Sequence, residues 1–129
     1  MSKEILKEFK ILLLTFSVVV LIFGIWFFFG VESWVALFSW PYLDPIAGHY
    51  IGGFTIAMGI VGLLTYKVDD WERIEIFAIS IILWLILGLI AMIWGLILTP
   101  SLGGILMVVL HAIFLIGFIF FYFQQNLQK

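Results

Sequence analysis

The chain alternates between long apolar runs and short polar breaks. Residues 76–128 hold no Asp, Glu, Lys or Arg, and this stretch is too long for one membrane crossing of about 20 residues. We place a fold-back at residues 99–104, because proline and paired glycines interrupt a helix. The pattern then predicts one all-α membrane domain over residues 1–129, a bundle of four transmembrane helices with spans at about 11–29, 45–66, 74–98 and 104–123.

Composition supports this class of protein. Apolar residues make up 65% of the 129 residues and charged residues 11%, against about 45–50% and about 25% in soluble domains. The formal charge of −2, with only six Lys and Arg, argues against nucleic-acid binding. The absence of cysteine excludes disulfide frameworks and thiol or Fe–S chemistry. We therefore expect the lipid bilayer as the surrounding medium and no nucleic-acid partner.

The basic residues predict the orientation, since Lys and Arg near span ends stay on the cytoplasmic face. All six flank the predicted spans on one side: Lys3, Lys7, Lys10, Lys67, Arg73 and Lys129. We therefore expect a multi-pass protein of the cell membrane with both termini cytoplasmic. A cleaved signal peptide is the alternative for the first span, but the run is too long and no small-x-small cleavage site follows it.

Two helix starts carry capping patterns. Asp44 precedes Pro45, which gives an N-cap acceptor followed by a proline at the first helical position. Before the third span, Asp69 is expected to accept from the first turn and Glu72 to reach back, as in a capping box. The acidic residues of this turn are balanced by basic neighbours, so we interpret it as a solvated hairpin rather than a docking patch.

Residues 31–43, between the first two spans, form a predicted outer segment. Apolar residues recur there at the spacing of one helical face: Val31, Trp34, Val35 and Phe38. Trp34, Trp40 and Tyr42 are residue types that favour the headgroup region, so we expect a short interfacial helix anchored by them. A lid over an outward-facing or lipid-facing pocket is the functional alternative.

Small residues line one side of the second predicted span. They recur at helical spacing: Gly48, Gly52, Thr55, Gly59 and Gly62. The third span offers a shorter match in Gly88, Ala91 and Gly95. Small residues let two backbones approach closely in lipid, so both stripes are candidate packing faces, and contact between the two stripes is one arrangement that they allow. We favour packing within the chain, while contact with another copy or another subunit is the alternative.

His111 is the only ionisable residue clearly inside a span, and Thr55 and Ser17 are expected at a similar depth. These three residues are the candidates for ligand binding or proton handling. The simplest interpretation is a neutral imidazole satisfied by one hydrogen bond. Proton transfer or binding of a polar ligand head is the second. Haem ligation with His49 is the third, and a difference of about 9 Å in expected depth disfavours it.

Sequence motifs give no evidence for catalysis. At the outer surface His49, Asp44 and Glu32 show no spacing diagnostic of a metal site, and capping and solvation account better for the two acids. The chain lacks a phosphate loop, a nucleophile triad, paired intramembrane carboxylates and a zinc-protease motif. We therefore expect no catalytic residue, no metal, no cofactor and no autonomous enzymatic activity.

The stretch from Trp40 to Trp94 resembles a loose group of small, uncharacterised four-helix prokaryotic membrane proteins. Three motifs carry the resemblance: Trp40-Pro41-Tyr42, Asp44-Pro45 leading into the Gly-rich second span, and Asp70-Trp71-Glu72-Arg73 at the start of the third. In the group, Thr-Pro often stands in place of Asp44-Pro45 and a basic residue in place of His49. The resemblance implies four helices and no known activity. Small multidrug transporters share only size and helix count, because their membrane-embedded glutamate has no counterpart here.

Two functions are compatible with this sequence. The first is a non-enzymatic integral membrane protein that acts as an accessory or assembly subunit of a larger membrane complex. Its aromatic and glycine-rich helices suit contacts with other membrane subunits or self-association. The second is a small carrier, or a lipid- or small-molecule-binding membrane protein, with a pocket near His111.

Overall fold

A computed structural model describes residues 4–40 and 44–127 and confirms the all-helical prediction for them. It contains four helices: α1 Lys7–Phe38, α2 Pro45–Tyr66, α3 Trp71–Leu98 and α4 Leu102–Leu127. Each is long and apolar enough to cross a membrane. The membrane-protein class read from composition is therefore supported by the length of every helix.

Helix α1 differs from the prediction of a span followed by a separate outer helix. It runs through both segments, and the only break in its helical geometry is at Gly30, with φ −153° and ψ 40°. Residues 31–38 continue as helix beyond this kink, and Ser39 then closes α1 in the left-handed region, with φ 52° and ψ 43°. Tyr42, predicted as an interfacial anchor, lies outside the described residues.

The two capping predictions have different outcomes. The carboxylate of Asp44 accepts from the Ile46 amide at 2.8 Å, with proline at the first helical position of α2. At α3 the cap was assigned to the wrong residue, because Asp70, not Asp69, accepts from the Glu72 amide at 3.2 Å. The carboxylate of Asp69 instead pairs with the Lys10 ammonium. Of the two adjacent acids, one therefore caps α3 and the other pairs with a lysine of α1.

Helix α1 packs against α2 and α4, and α3 packs against α4. Aromatic rings from three helices meet edge to face in the core, with Phe9 against Trp71 and Phe16 against Phe118, each at a centroid distance of 5.2 Å. Such ring pairs add to the packing that replaces the hydrophobic effect between helices in lipid. The core therefore lies between α1, α3 and α4, with α2 joined to it through α1.

The small-residue face of α2 is the α1 contact. Its buried residues are the five predicted ones, Gly48, Gly52, Thr55, Gly59 and Gly62. A Cβ added at Gly52 would overlap the Phe28 backbone, and one added at Gly62 would overlap the Ser17 hydroxyl. The stripe therefore packs within the chain, as favoured, but its partner is α1 and not the Gly88 and Gly95 face of α3.

Polar contacts tie the two described ends of the chain to one end of the bundle. The side-chain oxygen of Gln125 accepts from the Leu6 amide at 2.7 Å, and its side-chain nitrogen donates to the Glu4 carbonyl at 2.9 Å. Glu4 also forms an isolated backbone bridge with Asp70 in the turn between α2 and α3. The start of α1, this turn and the end of α4 therefore share one side of the molecule.

Candidate functional site

All four helices contribute to the wall of an inner cavity of about 250 Å³. Six aromatic side chains line it, namely Phe16, Phe23, Phe27, Trp40, Trp84 and Phe114. His111 and Thr55 place polar atoms in the same wall. Because α2 packs on α1 while α3 packs on α4, the two helix pairs leave this space between them.

The hydrogen bond of His111 fixes which nitrogen carries the proton. Nδ1 lies 2.8 Å from the Met107 carbonyl oxygen, one turn back on α4. A carbonyl oxygen can only accept, so Nδ1 donates, and in the neutral imidazole Nε2 is a lone-pair acceptor. Beside it the ring of Trp84 lies with its centroid 5.6 Å from that of the imidazole. The simplest interpretation of His111, one hydrogen bond to a backbone carbonyl, therefore accounts for the proton of Nδ1. It does not account for the lone pair of Nε2.

Gly88 makes room for the imidazole on α3. A Cβ at this position would stand 2.8 Å from Nε2 of His111 and 2.9 Å from Cδ2. Both distances are below van der Waals contact, so any larger residue would displace the ring. The sequence pattern predicts helix packing for both Gly88 and Gly95, but a Cβ at Gly95 meets nothing within 4 Å. The two glycines therefore have different surroundings.

Thr55 and Ser17 occupy different levels. Thr55 lines the cavity and donates its hydroxyl to the Ile51 carbonyl at 2.6 Å, which leaves the oxygen lone pairs as acceptors. Ser17 is 0% exposed, donates to the Leu13 carbonyl at 2.7 Å and faces Gly62. Gly62 lies about 10 Å beyond Thr55 along α2, at about 1.5 Å per residue. The structure thus brings Thr55 and His111 to one cavity and places Ser17 in the α1–α2 contact.

A second, outer cavity of about 310 Å³ adjoins the first. Trp40 and Met92 line both cavities, so their side chains separate the two spaces. The outer cavity reaches the turn between α3 and α4, where Thr99 and Ser101 are among its lining residues. A polar rim therefore lies at one end of this pair of cavities and His111 at the other.

The predicted anchor Trp34 is an interior residue. Its side chain is 0% exposed and packs among aromatic rings of α1, including Trp26 at 5.2 Å and Phe38 at 4.3 Å between centroids. Its indole N–H has no hydrogen-bond partner among the described residues. Trp40 is partly buried and belongs to the cavity walls. Trp34 is therefore part of the interior packing and Trp40 part of the cavity wall, two roles that the aromatic-belt pattern did not indicate.

His49 contacts the kink of α1. Its Nδ1 donates to the Phe28 carbonyl at 2.7 Å, and its Nε2 lies 3.7 Å from the Glu32 carboxylate. Ser33 donates to the Gly30 carbonyl at 2.6 Å. Within residues 4–40 and 44–127 no three His, Asp or Glu side chains are grouped closely enough to hold a metal ion.

Several residues of the site had no sequence signal. Trp84 is an ordinary apolar residue of an apolar helix, and only the packing of α3 on α4 places it at His111. Met107 lies one helical turn before His111, but no sequence pattern marks its carbonyl as the partner of the imidazole. No protein-family model, curated protein or solved structure matches the chain.

Proposed function

We propose that this protein is a multi-pass membrane protein that binds a small, mostly apolar molecule in the inner cavity. The observation that carries the proposal is a cavity of about 250 Å³ walled by all four helices. An apolar cavity of about 150 Å³ is enough to bind benzene, and pockets for larger ligands begin near 300 Å³. The cavity suits a molecule of one or two aromatic rings, or the end of a lipid chain.

The lining supports binding rather than catalysis. Ligand sites are mostly apolar and hold a few polar groups that orient the ligand. Here aromatic rings form the walls, and His111 and Thr55 supply the polar atoms. In this proposal the protein lies in the cell membrane with both termini cytoplasmic, residues 31–38 form the outer interfacial helix, and the outer cavity gives the ligand access past Trp40.

A cavity-filling variant tests the proposal. Leu110 lines the cavity, whereas Val109 beside it on α4 is exposed and does not. Ligand that binds only the folded protein raises the melting temperature. In detergent, we expect naphthalene to raise the melting temperature of the wild type and of Val109→Trp, but not of Leu110→Trp. An equal rise in all three proteins, or no rise in the wild type, would contradict binding in the cavity.

An accessory or assembly subunit of a larger membrane complex is the second candidate. It is supported by α3, where Gly95 is exposed at the wall of the outer cavity and a Cβ there meets nothing within 4 Å. A glycine facing lipid gains no packing, whereas a glycine facing another helix permits close approach. A single cysteine at Ala91, in a chain with no cysteine, should then form one crosslinked product of fixed mass in native membranes, and Gly95→Leu should abolish it. Failure to form such a product would remove this candidate.

A further inference from the structure

We propose that the inner cavity selects a neutral molecule whose apolar body carries a hydroxyl group, and that Nε2 of His111 accepts the hydrogen bond of that hydroxyl. This inference rests on the proposed function and names the chemical class of its ligand. It follows from which hydrogen-bonding groups the cavity offers and which it lacks.

The cavity offers acceptors. The proton of the imidazole is on Nδ1 and is used by the Met107 carbonyl at 2.8 Å, so Nε2 presents a lone pair. The hydroxyl proton of Thr55 is used by the Ile51 carbonyl at 2.6 Å, so its oxygen also presents lone pairs. Neither Nε2 nor the Thr55 oxygen receives a hydrogen bond from another described residue. A buried acceptor without a donor is unfavourable, and a ligand that brings a donor relieves that cost.

The lining excludes the charged alternatives. No Lys, Arg, Asp or Glu is among the described residues that line the cavity. An anion such as a carboxylate would need a counter-charge or more donors than the indole N–H groups of Trp40 and Trp84, and an ammonium ion would need a counter-charge. A neutral hydroxyl needs only one acceptor. The chemistry of the walls therefore favours an alcohol or a phenol.

Gly88 leaves the space beside Nε2 of His111 free. It lines the same cavity, and a Cβ there would stand 2.8 Å from Nε2. Alanine at this position would cover the lone pair or break the bond from Nδ1 to Met107. Gly95 lies on the same helix and lines the outer cavity but not the inner one, and a Cβ there meets nothing within 4 Å. Gly88→Ala and Gly95→Ala are therefore a matched pair, in which only the first touches the acceptor.

The test compares three probes of one ring system. In detergent, 2-naphthol carries a donor, while naphthalene and 2-methoxynaphthalene do not. A net hydrogen bond of about 1 kcal/mol corresponds to about fivefold in affinity. We expect 2-naphthol to bind the wild type and Gly95→Ala about fivefold more tightly than 2-methoxynaphthalene. That ratio should fall to about one in Gly88→Ala and in His111→Phe, with naphthalene binding retained.

A spectroscopic readout keeps the test independent of the variants. The chain has two histidines, so the ¹⁵N spectrum of histidine-labelled protein can be assigned with His49→Ala. Addition of 2-naphthol should shift the Nε2 resonance of His111, and naphthalene should not.

A diacylglycerol added as competitor identifies the source of the hydroxyl: displacement of 2-naphthol indicates a lipid, and no displacement indicates a smaller membrane-dissolved molecule. Both results agree with hydroxyl selection.

Three outcomes would overturn the inference. Equal affinity of the wild type for all three probes would show a cavity that binds apolar molecules without reading a hydroxyl, so the proposed function would survive alone. Tighter binding of 2-naphthoate than of 2-naphthol would show selection of an anion. Absence of binding by every probe would remove the proposed function together with the inference.

Discussion

The contact between α1 and α2 at Gly62 depends on one side chain of α1. Ser17 is fully buried, and its hydroxyl occupies the volume that a side chain at Gly62 would need. The same hydroxyl is held by the Leu13 carbonyl at 2.7 Å, so it has little freedom to turn away. Gly53 lies on the same helix, but a Cβ there would meet only the Phe28 ring at 3.4 Å, an ordinary contact.

We predict that Gly62→Ala destabilises the protein by about 1–3 kcal/mol, the usual cost of overpacking. Ser17→Gly in the same chain should recover most of that loss, because the nearest remaining atom is the Cα of residue 17 at 3.8 Å. Gly53→Ala is the control and should change the free energy of unfolding by less than about 0.5 kcal/mol. Unfolding by titration with a denaturing detergent measures all four proteins. A Gly62→Ala variant as stable as Gly53→Ala would contradict this account of the contact.

At the scale of an element, the kink of α1 is held from the neighbouring helix. The Phe28 carbonyl, two residues before Gly30, accepts from the imidazole of His49 on α2. The indole of Trp26 donates to Ser33 at 2.7 Å, and Ser33 in turn donates to the Gly30 carbonyl, so side chains bind backbone carbonyls at the kink.

We predict that His49→Ala lets α1 straighten. Spin labels on cysteines at Ile11 and Leu37, both exposed, report the end-to-end distance, which in a straight helix is about 39 Å between the two backbone positions. The kink makes the wild-type distance shorter, and the variant should broaden the distribution toward the straight value. Tyr50→Ala, which removes an exposed neighbour of His49, should leave the distribution unchanged. An identical distribution in His49→Ala would show that the kink does not need the imidazole.

The bounds and buried face of α2 could be predicted because local signals determine them. Asp44 and Pro45 specify its start, and the glycine spacing specifies the face that packs. The partner of that face could not be predicted, because all four helices are apolar on every side and periodicity does not rank one neighbour over another. The predicted depth of Ser17 was wrong for the same reason. Helix α1 continues to Phe38, and its register against α2 is set by the glycine contacts, which the sequence pattern does not specify.

For the site, sequence indicated His111 and Thr55 but not their surroundings. An ionisable side chain in an apolar span is conspicuous, whereas Trp84 and Met92 look like any lipid-facing or core residue. The cavity is formed by residues of all four helices, so it is a property of the assembled bundle. For this reason the proposed ligand site became visible only at the scale of the whole molecule.

The whole molecule also constrains the topology in the membrane. Gln125 holds the segment before α1, Lys10 pairs with Asp69, and the hydroxyl of Tyr122 donates to Glu75 at 3.0 Å. These contacts keep the start of α1, the α2–α3 turn and the end of α4 together, which supports the proposed orientation with all three on one side of the bilayer. Every Lys and Arg of the described residues belongs to this side, and basic residues favour the cytoplasm.

We predict that a membrane-impermeant thiol reagent added to intact cells labels Glu32→Cys and spares Glu72→Cys and Gln124→Cys, which react only after permeabilisation. The chain has no cysteine of its own, so each label reports one position. All three positions are exposed, so a cysteine that is not labelled lies on the inaccessible side of the membrane and is not simply buried in the protein. The reversed pattern would keep the four crossings but contradict the orientation taken from the basic residues. Labelling of Glu72→Cys and Gln124→Cys from opposite faces would be incompatible with the contacts made by Gln125 and Tyr122. It would therefore also contradict the helix packing that forms the inner cavity.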